Sequence, residues 1–116
     1  MATLCGHGLD PLFHAASRAG IRLIGTRNEQ TASYMAECWG RLTRRPGVCA
    51  VSSGVAHVNA MSGLADAALD GAPFLLISGA GALSTRGMGH FQDLDQVALA
   101  RPICRYARLI DCPERA

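Results

Sequence analysis

The sequence predicts an α/β fold: an open, mostly parallel sheet with helices on both faces. Three observations carry that expectation. Short aliphatic runs alternate along the chain with segments whose apolar residues recur at helical spacing, the order that parallel strands and crossover helices impose. The boundaries between the two carry Gly, Pro, Asn or Asp. The run Phe74-Leu75-Leu76-Ile77-Ser78 shows no polar alternation, which suits a central parallel strand covered on both faces.

Taken in order, residues 2–5 read as a first strand that leaves through Gly6-His7-Gly8. Asp10 and Pro11 suit the N-cap and first turn of a helix running to Ala19, with Gly20 beyond its end. Residues 21–25 form a second strand. Asn28 is placed to cap a long helix whose apolar face is expected to hold Ala32, Met35, Ala36, Trp39 and Leu42, and Pro46-Gly47 stops it. Residues 48–52 make a third strand, with Ser53-Gly54 as the turn out of it. A third helix is expected from about Asn59, its apolar side formed by Met61, Leu64, Ala65, Ala68 and Leu69, with Gly71 after its end. Pro73 introduces the fourth strand, and a Gly-rich loop occupies 79–89. Asp93 is placed to cap a short helix through Ala100, and residues 105–110 are expected to make a last strand.

At 116 residues the chain has room for one domain at most, and a content of 49% hydrophobic against 17% charged residues excludes a disordered tail. The formal charge of +2 comes from arginines scattered along the chain, so no basic stripe is available for nucleic acid. Their one cluster, Arg41, Arg44 and Arg45, suits the last turn of a helix, where cations complement the helix dipole. The five cysteines are odd in number and form no C-x-x-C pair, the usage of buried thiols in a reduced, cytoplasmic compartment. Cys5 with His7 lacks the second pair that zinc needs, so no metal site is expected. No apolar stretch approaches the roughly 18 residues of a membrane span, and the start of the chain lacks the pattern of a secretory leader.

Ligands of open α/β sheets gather outside the carboxyl ends of the strands. The four exits there are Gly6-His7-Gly8, Thr26-Arg27-Asn28-Glu29, Ser52-Ser53-Gly54 and the loop from Gly79 to Gln92, and Glu29 is the one glutamate among them. The first exit approaches the dinucleotide fingerprint G-x-G-x-x-G, but Pro11 stands where the third Gly would permit close packing, and Glu29 lies past the end of its strand. A Rossmann-type nucleotide binder is therefore the lesser alternative.

A longer ordered series runs through Arg27-Asn28-Glu29-Gln30-Thr31-Ala32, then Arg45-Pro46-Gly47-Val48, Ser53-Gly54, Asn59, Asp70-Gly71-Ala72-Pro73 and Phe91-Gln92-Asp93. In this order, and from Cys5 to Ile110, the chain resembles the N-terminal pyrimidine-binding (PYR) domain of thiamine-diphosphate enzymes of the acetolactate synthase, benzoylformate decarboxylase and 2-hydroxyacyl-CoA lyase group. The resemblance implies a catalytic role for Glu29: its carboxyl group shares a proton with the ring nitrogen N1′ of the cofactor's aminopyrimidine and so favours the tautomer that activates the cofactor as a carbon nucleophile. It places Ser53, Gly54 and Asn59 with Glu29 on the cofactor, and His7, Gly8, Phe91 and Gln92 on the substrate side.

The chain departs from the family in three places, one of them Asp93, where the family's F-Q-E element ends in Glu. The usual Ser-Gly-Pro-Gly turn is Ser53-Gly54-Val55-Ala56, with His57 following as a helix-start residue. Ser52 stands where the benzoylformate decarboxylase type carries a histidine, which disfavours that activity. The G-D-G motif of the family's diphosphate-binding (PP) domain is absent, so the resemblance implies a single partial PYR domain over 1–116, cut within the expected fold at both ends and inactive alone. Thiamine diphosphate is the implied cofactor, with Mg2+ entering only with the PP domain. The implied partner is a PP domain of the same or another chain, in a homodimer or tetramer acting on 2-oxo acids or acyl donors by carbon–carbon bond cleavage or formation. A non-catalytic α/β interaction module or decayed fragment is the alternative.

Overall fold

The structure is a computed structural model and describes residues 1–115. Four strands, β1 (Ala2–Thr3), β2 (Ile24–Gly25), β3 (Gly47–Val51) and β4 (Phe74–Ser78), form one all-parallel sheet in the order β2-β1-β3-β4. They alternate with helices α1 (Asp10–Arg18), α2 (Glu29–Thr43) and α3 (Val55–Asp70), and a short α4 (Gln96–Ala100) follows β4. The chain moves from β1 to β2 in one direction and through β3 to β4 in the other. Right-handed crossovers therefore put α2 and α3 on one face and α1 on the opposite one.

Local chemistry explains the helix limits. Asn28 is extended and its side chain accepts the Gln30 N–H at 2.8 Å, the N-cap expected of it. At the other end Arg44 adopts a left-handed conformation and its N–H closes on the Gly40 carbonyl, so α2 stops before Pro46 is reached. Helix α1 starts differently from expectation: Leu9 holds the N-cap position without a side-chain cap, and Asp10 is already helical, where its charge complements the dipole. Helix α3 begins at Val55, well before Asn59, because Gly54 turns the chain directly from β3 into the helix.

The core lies between the sheet and α2/α3, and it is built from small residues. Ala32, Ser33, Ala36 and Gly40 of α2 are buried, as are Ala56, Ala60, Gly63 and Ala67 of α3. Ser33 Oγ donates to the Ala60 carbonyl at 2.5 Å, and a Cβ on Gly63 would run into Ser33. Helices this close have no room for large side chains between them, which corrects the expected apolar face of α2. Ala32 and Ala36 point inward, whereas Trp39 is 56% and Leu42 82% exposed, and Met35 lies on the same outer side. On α3 Leu64 is buried, but Ala68 and Leu69 are exposed for the same reason.

Three strand expectations are also corrected. β1 and β2 are shorter than residues 2–5 and 21–25, since they pair over two residues each. β4 has the expected residues but is an edge strand: among the described residues it pairs with β3 alone, and Leu75 is 49% exposed. Residues 105–110 form no strand. Their side chains alternate between exposed and half-buried from Tyr106 to Ile110, as an extended chain would, but no described strand offers them a ladder. Finally, α4 is capped by Asp95, which accepts the Ala98 N–H at 2.9 Å, and not by Asp93, which accepts the Gly89 N–H instead.

Candidate functional site

The exits of β1, β3 and β4 meet at one point on the carboxyl edge of the sheet. Ser52 Oγ donates to the His7 carbonyl at 3.2 Å, and a Cβ on Gly79 would stand 2.5 Å from that same oxygen. The chain reverses its direction of travel across the sheet between β1 and β3, the place where open α/β sheets hold ligands. Here that crevice is filled by backbone and small side chains.

Two glutamines fasten the loop after β4 onto this junction. The fully buried Ser53 hydroxyl donates to Gln92 Oε1 at 2.8 Å. Gln92 is held at φ 60°, a left-handed conformation uncommon for a residue with a side chain. Gly54, at φ 61° and ψ −115°, could not be another residue: a Cβ there would lie 2.6 Å from Gln92 Cβ. Gln96 spans the two strand ends, with its Oε1 accepting the Gly54 N–H at 2.8 Å and its Nε2 donating to the Gly79 carbonyl at 3.0 Å. Phe91, the neighbour of Gln92, is 81% exposed, and His7 and Gly8 are exposed on the first exit.

Glu29 stands beside this junction at the exit of β2, as the first residue of α2. It is half-buried, and Asn59 of α3 donates from Nδ2 to its Oε2 at 3.0 Å. No described residue hydrogen-bonds its Oε1. A carboxylate oriented by one amide with a second oxygen open is equipped to accept a hydrogen bond from a ligand N–H or to share its proton. The carboxylate reaches back toward β3: the buried Cys49 thiol is pushed up to about 12 by desolvation first and by the charge of Glu29 second. Cys49 is therefore inert, a core residue.

Two further residues of this region lie outside the ordered motif series. Gln96 carries no motif of its own, and its bridging role follows only from the fold. His57 is a helix-start residue, as expected. It lies in the first turn of α3, is 4% exposed, and its Nδ1 is 2.7 Å from Ser78 Oγ at the end of β4, while Nε2 has no partner among the described residues. Burial lowers its affinity for a proton, opposed by the backbone of Gln96. Elsewhere, the carboxylates of Glu37, Asp66 and Asp70 converge, and Arg41 supplies the positive charge among them, at 3.0 Å from Glu37 and 3.2 Å from Asp70.

Residues 1–99 match the family described as "Thiamine pyrophosphate enzyme, N-terminal TPP binding domain". The chain is 37% identical over 110 residues to "2-hydroxyacyl-CoA lyase 2" of Xenopus laevis, covering 95% of this chain and 17% of that protein. It is 38% identical over 114 residues to "Probable acetolactate synthase" of Mycobacterium bovis, covering 98% of this chain and 21% of that protein. Against the human "2-hydroxyacyl-CoA lyase 2" it is 36% identical over 104 residues, or 90% of this chain and 16% of the relative. The chain thus spans about a fifth or less of the length of these relatives.

Proposed function

The chain belongs to the thiamine pyrophosphate enzyme family, as its N-terminal TPP-binding domain, and from that membership we propose that it holds the aminopyrimidine half of thiamine diphosphate at the carboxyl edge of the sheet. The observation that carries the reading is Glu29, a half-buried carboxylate at the strand edge, steadied by Asn59 on one oxygen and open on the other. That donor set fits a pyrimidine ring nitrogen that must share a proton.

When bound, thiamine diphosphate supplies a carbon nucleophile for making or breaking bonds next to a carbonyl. Glu29 would hold the shared proton at the ring nitrogen, and Asn59 would keep the carboxylate turned toward it. Ser53 and Gly54, buried under Gln92 and Gln96, would form the wall behind the ring, where the absence of a side chain on Gly54 lets Gln92 pack against it. Gln92 and Phe91, with His7 and Gly8 on the neighbouring exit, would face the substrate, a 2-oxo acid or acyl donor.

None of these residues is an arginine or lysine suited to a diphosphate, which supports a division of labour. A PP domain of the same or another chain would hold the diphosphate and Mg2+, and this chain would be inactive without it. The outward row of Met35, Trp39 and Leu42 supports a partner surface, in keeping with a dimeric or tetrameric enzyme. Five free cysteines support a reducing, cytoplasmic compartment.

The test is proton exchange at the thiazolium C2 of bound thiamine diphosphate, followed by NMR in the enzyme assembled with its diphosphate-binding domain. Glu29→Gln should slow that exchange by about 10²-fold or more, the usual contribution of a positioned acid or base. A rate within about twofold of the parent would remove Glu29 from this role.

A further inference from the structure

We propose that the cavity between α4 and the 107–115 segment is a binding site for a diphosphate-class anion, separate from the Glu29 site. The cavity is about 380 Å³, within the range of small-molecule sites, and four arginines line it: Arg86, Arg101, Arg108 and Arg115. Only two acids, Asp95 and Asp111, face them, so the cavity has a surplus of two positive charges, equal to the formal charge of the whole chain.

The internal pairings concentrate that surplus further. Both oxygens of Asp111 are taken by Arg115 at 3.1 Å, which cancels those two charges. Asp95 commits Oδ1 to capping α4. Arg108 donates to the Tyr106 hydroxyl, a neutral partner. Among the described residues, Arg86, Arg101 and Arg108 make no ion pair. Arg86, Arg101 and Arg108 thus face one acid, Asp95, so two positive charges stay uncompensated in the cavity, and a multivalent anion would offset them while using the fork-shaped donors.

A diphosphate suits the site better than a single phosphate or a carboxylate. Its two linked tetrahedral centres would offer oxygens to arginines from three separate parts of the chain, one in the loop after β4, one at the end of α4 and one in the extended segment after it. Val97 and Leu109 supply apolar lining beside them, which leaves the anion to be recognised by the arginines. The residues involved are unrelated to Glu29, Asn59, Ser53 and Gly54, so this site stands or falls independently of the aminopyrimidine reading.

Isothermal titration of the full chain with inorganic pyrophosphate, at about 0.15 M chloride so that loose surface attraction is screened, tests the proposal. Saturable one-to-one binding tighter than about 1 mM is expected, and Arg101→Gln with Arg108→Gln should weaken it at least about tenfold, since each removes a charge-assisted donor pair. Arg101→Lys keeps the charge but loses the fork and should fall between the two; circular dichroism checks that each variant is folded. Glu29→Gln should leave the affinity unchanged. The proposal is overturned by the absence of saturable heat, by equal affinity in the double variant and the parent, or by a phosphate-free tricarboxylate binding as tightly as pyrophosphate.

Discussion

Replacing Gly54 by alanine puts the junction of strand exits to a quantitative test. Gly54 sits at φ 61° and ψ −115°, where a side chain costs about 1–3 kcal/mol of backbone strain. An added Cβ would also stand 2.6 Å from Gln92 Cβ and 2.9 Å from Gln92 Cα. Neither atom can swing aside, because Gln92 is fixed by its own backbone conformation and by the Ser53 hydroxyl. Overpacking of this kind adds about 1–3 kcal/mol, so Gly54→Ala should destabilise the chain by about 2–6 kcal/mol in urea unfolding. Gly71 provides the contrast: it has φ 64° with nothing near its absent Cβ, so Gly71→Ala should cost the backbone part alone, about 1 kcal/mol. Gln92→Gly removes the nearer colliding atom but leaves Cα, so in that background Gly54→Ala should lose part of its overpacking penalty, about 1 kcal/mol, the coupling expected of residues in contact. A Gly54→Ala penalty no larger than that of Gly71→Ala, with no coupling to position 92, would refute the packing of the loop onto Gly54.

Two further outcomes follow from buried groups. His57 binds a proton less readily in the folded chain than its ordinary value near 6.5, so the unfolded chain takes up the proton first as pH falls. Its contribution to stability should be complete above about pH 6.5 and decline below it, and urea midpoints measured from about pH 8 to 5 should flatten in His57→Gln; a parent curve already flat there refutes the burial argument. At about pH 8 a thiol reagent should label exposed Cys5 in the native chain and reach Cys49 only after denaturation, as fast native labelling of Cys49 would contradict its burial.

The alternation of strands and helices, the Asn28 cap and the run 74–78 were legible because each depends on neighbours in sequence. What was not legible depends on distance in space. The periodicity of α2 identified a helix, but it could not say that Ser33 and Gly63 would bring two helices close enough to exclude Trp39. Residues 105–110 have a strand's alternation, yet a strand exists only where another offers its edge. Asp93 was the expected cap of α4, but the cap is Asp95, two residues on, whose carboxylate reaches the Ala98 N–H. Glu29, Ser53, Gly54 and Asn59 were expected at the site from an ordered motif. Gln96 was not, because its two bonds join strand ends 25 residues apart in sequence, Gly54 and Gly79, that only folding brings together.

The open side of β4 bears on how this chain behaves in concentrated solution. Five apolar-rich residues leave one row of peptide N–H and C=O groups without a described ladder partner, and no charge or proline lies within the strand to discourage a neighbour. Such an edge is a template for intermolecular pairing, and identical chains would meet there through the same short sequence. Handling the chain therefore calls for dilution and cold, and a lysine at Leu75, the most solvent-facing position of the strand, is the change that would make it tractable without touching the carboxyl edge where Glu29 stands.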